Sequence, residues 1–154
     1  MQPQDLKHVR FCVAGNLRRT TRALTQLYDE ALQPSGLRAT QFSLLANIGR
    51  EGQATIGRLA ETMLIDRTTL TRNLRVLEND GLIESAPGDD QRAHPVRLSK
   101  KGERALAKAL PYWEQAQARI VSGLGDEKFR ALLKDLYTLA ELAHGNQQSP
   151  IDNQ

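Results

Sequence analysis

Only two residues, Leu64 and Ile65, separate one amphipathic pattern ending at Met63 from Asp66, a strong helix-initiating residue that opens the next. That spacing leaves room for nothing but a tight turn between two helices. Upstream, Thr55 is placed to cap a short helix with Ile56, Leu59, Ala60 and Met63 on one face. Downstream, Asp66 caps a segment from Arg67 to Asn79 in which Leu70, Leu74 and Leu77 recur at helical spacing, and Gly81 stops it at the position where a left-handed residue is favoured. The pattern then changes. Leu82-Ile83-Glu84-Ser85 and Val96-Arg97-Leu98 are short β-type segments flanking a polar stretch from Ala86 to Pro95, which reads as a hairpin with a long charged tip. Two short helices in a tight turn, followed by such a hairpin, make a helix-turn-helix with a wing.

The remainder is helical. Residues 6–33 carry Val9, Val13, Leu17, Leu24, Leu27, Tyr28 and Ala31 at three-four spacing, and Gln33-Pro34-Ser35-Gly36 breaks the pattern. Thr40 is then expected to cap a short helix with Phe42, Leu45 and Ile48 inward, stopped by Gly49 and Gly52. Ser99 opens a long helix reaching about Leu124, in which Pro111 is expected to produce a bend or a break. Asp126 caps a last helix with Phe129, Leu132, Leu133, Leu136, Tyr137, Ala140 and Ala143 on its apolar face. The expected fold is mainly α, a winged helix with six helices and a two-stranded β-wing, in one domain over residues 1–154.

Several function classes are disfavoured by composition. With 40% hydrophobic and 25% charged residues, the chain has the balance of a soluble globular protein. No stretch approaches the ~18 apolar residues of a membrane span, and the N-terminus lacks a basic region followed by an apolar run, so a cytoplasmic protein without membrane contact is expected. The single cysteine, Cys12, forms no internal disulfide, and three histidines (His8, His94, His144) are too few to assemble a metal site within one chain. No Ser/His/Asp, paired-carboxylate or phosphate-loop pattern is present, which argues against an enzyme and against a cofactor.

The functional reading rests on the second of the paired helices. With Leu70 taken as inward, Thr68, Arg72 and Arg75 project about 140° to 200° away from it at 100° per residue. Small hydroxyls and arginines thus make the outward face. Thr68 and Thr69 suit base edges or thymine methyls, Arg72 suits guanine, Arg67 and Arg75 suit phosphates in a major groove, and Thr71 belongs to the same DNA-binding set. Arg92 at the hairpin tip is placed for a minor groove, with Asp90 orienting it by an ion pair. Net charge is +3 overall, distributed as +4 over residues 1–50, zero over 51–104 and −1 beyond, so charge alone does not establish a nucleic-acid partner. The alternative from another class is a winged-helix protein-interaction module without specific DNA binding.

Gly36-Leu37-Arg38-Ala39-Thr40-Gln41-Phe42-Ser43-Leu44-Leu45, Leu59-Ala60-Glu61 followed by Asp66-Arg67-Thr68-Thr69-Leu70-Thr71-Arg72, and Leu77-Glu78-Asn79-Asp80-Gly81-Leu82-Ile83 form one set of motifs. With Asp90-Gln91-Arg92 and Leu98-Ser99-Lys100-Lys101-Gly102 around the wing, the chain resembles the MarR family of bacterial transcriptional regulators over roughly residues 6–145. The resemblance implies a homodimer whose first and last helices intertwine (residues 6–33 and 105–145). It implies also a winged helix-turn-helix part at 40–104 that reads a palindromic double-stranded operator, and release from DNA by a ligand or an oxidant. The bulk of apolar surface on the long helices independently points to a partner subunit.

Two sensor arrangements are candidates, against the alternatives of an inert helix cysteine at Cys12 and a solvated surface arginine at Arg19. On a continuous first helix, His8, Cys12, Asn16 and Arg19 would share one direction within about 40°, and nearby positive charge favours the oxidisable thiolate. This is similar to the organic-hydroperoxide-sensing branch of the family, where two tyrosines hydrogen-bond a cysteine of the first helix; here Tyr28 stands at one such position and Ala39 at the other. The second arrangement is a pocket for a small aromatic or carboxylate effector, with Arg19 pairing a carboxylate and Phe11, Phe42 or Trp113 as ring partners. Arg18, Arg22 and Asp29 read as a solvated face.

Overall fold

The structure is a computed structural model and describes residues 3–85 and 95–144. Among these residues lie six α-helices and one two-stranded sheet: α1 Val13–Leu32, α2 Ala39–Glu51, α3 Ile56–Met63, α4 Arg67–Asn79, β1 Ile83–Ser85, β2 Val96–Leu98, α5 Lys100–Leu124 and α6 Asp126–His144. Two 3-10 segments, Pro3–Phe11 and Gln33–Ser35, precede and follow α1.

The first helix is not continuous over 6–33. Its N-terminal part is 3-10, and Cys12, with φ −59° and ψ 115°, stands at the break as the residue before α1. The Asn16 side-chain amide donates to the carbonyls of Arg10 and Cys12, both at 2.9 Å, holding the tighter winding against the start of α1. The second break falls where expected, with Gly36 at φ +86°. Helix α2 then starts one residue before Thr40, and Arg38 occupies the capping position, its N–H received by the Gln41 side chain at 3.0 Å. Gly49 does not stop α2. It lies inside the helix where Leu98 and Leu106 pack, and Gly52 is the terminator.

Thr55 and Asp66 cap as expected, Thr55 Oγ1 accepting from the Arg58 N–H at 3.2 Å and an Asp66 carboxylate oxygen accepting from the Thr69 N–H at 2.9 Å. Strands β1 and β2 pair antiparallel with Ile83 opposite Leu98, Glu84 opposite Arg97 and Ser85 opposite Val96. Ala54 adds a bridge to Val96, exchanging hydrogen bonds of 2.9 and 2.8 Å, so the segment before α3 forms a third edge of the sheet. Helix α5 runs unbroken through Pro111, and α6 starts with Asp126 inside its first turn, after Gly125 at φ +80°.

The chain divides into two compact units at Glu114. The first holds the core, with Leu32, Leu45, Ile48, Leu59, Leu70 and Leu77 almost fully buried. Removing side chains of this size from water is the main stabilising term in such a unit. Within the second, no α6 residue is buried, and Leu132, Leu133, Leu136, Tyr137 and Leu142 are exposed. Val13, Leu17 and Leu24 of α1 are exposed as well. No described helix is long and apolar enough to cross a membrane.

Candidate nucleic-acid interface

The turn between α3 and α4 is made by Leu64 and Ile65. Leu64 takes the left-handed conformation at φ +51°, and the Ile65 N–H reaches back to the Ala60 carbonyl at 3.0 Å. A leucine in that conformation is disfavoured by roughly 1–2 kcal/mol, a strain that the packed helices on either side hold in place. Asp66 then starts α4. Thr69, first through its hydroxyl and then through its N–H, holds the Asp66 carboxyl below the usual carboxylate range. A depressed carboxyl stabilises the fold above its unfolded value near 4 and loses that contribution as pH falls through the lower folded value. Asp66→Asn, which keeps a capping oxygen, is therefore expected to be less stable than the native protein at about pH 6, and the gap is expected to be smaller at about pH 3. Thermal unfolding followed by circular dichroism at the two pH values checks this.

Leu70, Leu74 and Leu77 point into the core, and the face opposite them is open. Thr68, Arg72 and Arg75 are exposed on that face. Among the described residues no hydrogen bond or ion pair engages the side chain of any of the three, so their side-chain polar groups are available to a partner. Thr69 and Thr71 sit at its flanks, both half-buried, and the Thr71 hydroxyl is spent on the Arg67 carbonyl at 2.7 Å. Arg67 is exposed and runs back over α3, its guanidinium 3.6 Å from where a Cβ on Gly57 would stand. Asp90 and Arg92 lie outside the described residues. The sequence reading passed over Val76, an apolar side chain 47% exposed on the same helix. Its position, one turn beyond Arg72, was the signal that places it on the outward face.

The far end of α4 is fastened from two directions. The Ser99 hydroxyl donates to the Gly81 carbonyl at 2.6 Å, and the Lys101 ammonium donates to the Asp80 carbonyl, also at 2.6 Å. The Ser99 N–H donates to the Leu82 carbonyl at 3.1 Å and the Gly102 N–H to Ser99 Oγ at 3.0 Å. Gly102 has no room for a side chain, since a Cβ would stand 1.9 Å from the Leu82 oxygen. Across the sheet, Arg97 pairs with Glu84 at 2.8 Å. The start of α5 and the base of the wing thus fix the axis of α4.

The sensor residues separate into two places. Cys12 is an exposed free thiol, and together with Arg19 it lines an open hollow of about 760 Å³ along the start of α1. Arg19 Nη2 reaches Asn16 Oδ1 at 3.4 Å and the Asn16 amide reaches the Cys12 carbonyl at 2.9 Å, so these three stay together, whereas His8 lies on the 3-10 segment and does not continue their helical face. Tyr28 lines a different hollow of about 350 Å³, with Leu32, Ala39, Phe42, Ala46 and Trp113. There Phe42 and Trp113 stack with centroids 5.7 Å apart, and burial pushes the Tyr28 hydroxyl up. Among the described residues no Lys or Arg lines this second hollow. Asp29 is not part of a solvated face: one carboxylate oxygen accepts the Ala39 N–H at 2.7 Å in a partly buried setting. Among the described residues no group of three His, Cys, Asp or Glu side chains is arranged to hold a metal ion.

Comparison with known proteins adds to this geometry. The MarR family model matches residues 35–93. The chain is similar to the M. tuberculosis transcriptional regulator MosR in a complex with DNA, at 42% identity over 86% of this chain and 98% of that one, with a TM-score of 0.76. It is similar to the transcriptional repressor CouR bound to a 23-mer DNA duplex, at 26% identity over 88% of this chain and 96% of that one, with a TM-score of 0.77. A mutant of E. coli MarR complexed with operator DNA, 21% identical over 87% of this chain and 97% of that one, shares the fold with a TM-score of 0.78.

Proposed function

We propose that this chain, which belongs to the MarR family, is a sequence-specific DNA-binding transcriptional repressor that works as a homodimer on a palindromic operator. The observation that carries this reading is the outward face of α4, where Thr68, Arg72 and Arg75 are exposed without partners among the described residues. Its similarity to MosR and CouR, both described in complexes with DNA, supports the same reading. In this reading Thr68 and Arg72 meet base edges, Thr69 and Thr71 approach from the flanks, and Arg67 and Arg75 meet phosphates. Arg92, oriented by Asp90, enters the minor groove from the wing. The winged part spans 40–104, and helices within 6–33 and 105–145 dimerise. Exposed Val13, Leu17 and Leu24 on α1, and Leu132, Leu133 and Leu136 on α6, support that division, since unburied apolar stripes favour a second copy.

Release is proposed to follow a small effector or oxidation of Cys12. The aromatic hollow beside Tyr28 suits a flat uncharged ring, whereas a carboxylate finds its charge partner at Arg19. The family and the similar structures are transcriptional regulators, which favours a regulator over an enzyme. The test is fluorescence anisotropy on the chain's own upstream DNA against scrambled DNA, reduced and peroxide-treated, with Cys12→Ala alongside. Preference for the upstream DNA by about 10³-fold or more, falling steeply with salt, is expected. Equal affinity for both DNAs overturns the proposal in favour of a protein-interaction module. Loss of binding on oxidation in the native protein alone makes Cys12 the switch; indifference to peroxide directs the search to the effector.

A further inference from the structure

Helix α2 begins with only half a cap of its own: Gln41 accepts the Arg38 N–H at 3.0 Å, but no side chain of the cap residue serves the first helical amides. Arg38 occupies the cap position and makes no side-chain cap bond, and the first helical residue is Ala39. The missing acceptor comes from another helix, because Asp29, in the last turns of α1, receives the Ala39 N–H at 2.7 Å. Its second oxygen lies 3.8 Å from the Arg38 guanidinium, and the carboxylate is 29% exposed where the arginine is 78% exposed. A carboxylate is the best group for this place, since it meets both an unsatisfied N–H and the positive end of the α2 dipole. The intervening turn is itself braced: Ser35 Oγ donates to the Leu32 carbonyl at 2.6 Å and accepts the Leu37 N–H at 3.2 Å.

We infer that Asp29 is a positioning residue for operator recognition, the joint through which α1 sets the orientation of the winged part. Two observations place the joint where it matters. Helix α1 carries the exposed apolar residues proposed to meet the second copy, so the separation of the two recognition helices passes through the α1–α2 connection. The smaller hollow is lined by Tyr28, next to the acceptor, and by Ala39, the donor itself. Anything filling that hollow bears directly on the Asp29 bond. The inference rests on the proposed dimeric DNA reading, and it adds the residue that couples the two parts.

The test compares native protein, Asp29→Ala and Asp29→Asn in full-length form on three DNAs: the upstream palindrome, the palindrome with one base pair inserted between its halves, and a single half-site. Binding both halves at once demands a fixed geometry, whereas one half demands only an intact α4. Asp29→Ala is expected to keep its helix content and to bind the half-site within about twofold of native, yet to lose about tenfold on the palindrome, in the usual range of coupling between sites. Its penalty for the inserted base pair is expected to shrink. Asp29→Asn, whose amide oxygen still accepts the Ala39 N–H, is expected to recover most of the loss. Native-like palindrome binding by Asp29→Ala, or an equal loss on palindrome and half-site, overturns the inference.

A native protein that does not prefer the palindrome overturns the DNA reading instead. The joint is then decided by spin labels at Arg22→Cys and Glu78→Cys in a Cys12→Ser background, diluted with unlabelled protein. A distance distribution that broadens with Asp29→Ala supports the joint, and an unchanged one overturns it.

Discussion

An Arg72→Ala protein is expected to bind its operator about 5- to 150-fold more weakly than the native protein, the equivalent of about 1–3 kcal/mol, and to discriminate less at one base-pair position. The size follows from what a bidentate guanidinium contributes at a guanine edge. The selectivity follows from the placement of the side chain, exposed on the outward face of α4 and engaged by no described residue. For the same reason its removal leaves folding stability unchanged, since no bond within the described chain is lost and alanine suits a helix at least as well. Arg72→Lys keeps the charge but not the fork, and is expected to restore affinity for DNA in general more than preference among bases. Anisotropy on a set of operators, each altered at one position, checks the assignment. Native affinity and native discrimination by Arg72→Ala would remove Arg72 from the reading face.

Gly102→Ala is expected to have the largest effect on stability, a loss of about 3 kcal/mol, at the upper end of what overpacking costs. For a chain of this length that lowers Tm by about 6–12 °C. The added methyl would stand 1.9 Å from the Leu82 carbonyl oxygen, a backbone atom that cannot turn aside as a side-chain terminus would. Relief requires the start of α5 to move away from β1, and that movement breaks the Ser99 N–H bond to the same oxygen. The Ser99 and Lys101 bonds to the end of α4 loosen with it. The variant is therefore expected to lose operator affinity as well as Tm, in contrast to Arg72→Ala, which loses affinity alone. Thermal unfolding with no change in Tm would show that the close approach is relieved elsewhere.

What the sequence made legible is what local chemistry decides. Thr55 and Asp66 are caps because their oxygens reach an amide three residues on, and Gly36 and Gly81 stop helices because they adopt positive φ. The leucine spacing of α4 fixed its inward side, and with it the outward placement of Thr68, Arg72 and Arg75. Features that depend on partners distant in sequence escaped. Nothing near Ala54 announces its pairing with Val96, and nothing near Asp29 announces that it caps a different helix. His8 left the sensor grouping for a conformational reason: the turn before Cys12 winds as 3-10, so His8 and Cys12, four apart, no longer stack as on an α-helix. Pro111 was expected to disturb α5, yet the helix continues through it. Asp90 and Arg92, which the sequence places at the hairpin tip, lie outside the described residues.

The outward face of α4 is structurally idle. The side chains of Thr68, Arg72, Arg75 and Val76 make no hydrogen bond or ion pair with the described residues, while Leu70, Leu74 and Leu77 on the opposite side carry the packing. Folding and the proposed DNA reading are thereby written on separate letters of one short helix. After a gene duplication, one copy can exchange the reading letters singly, each change tested against new promoter sequences without first surviving a loss of stability. New regulatory circuits are in this way within a few substitutions of the old one.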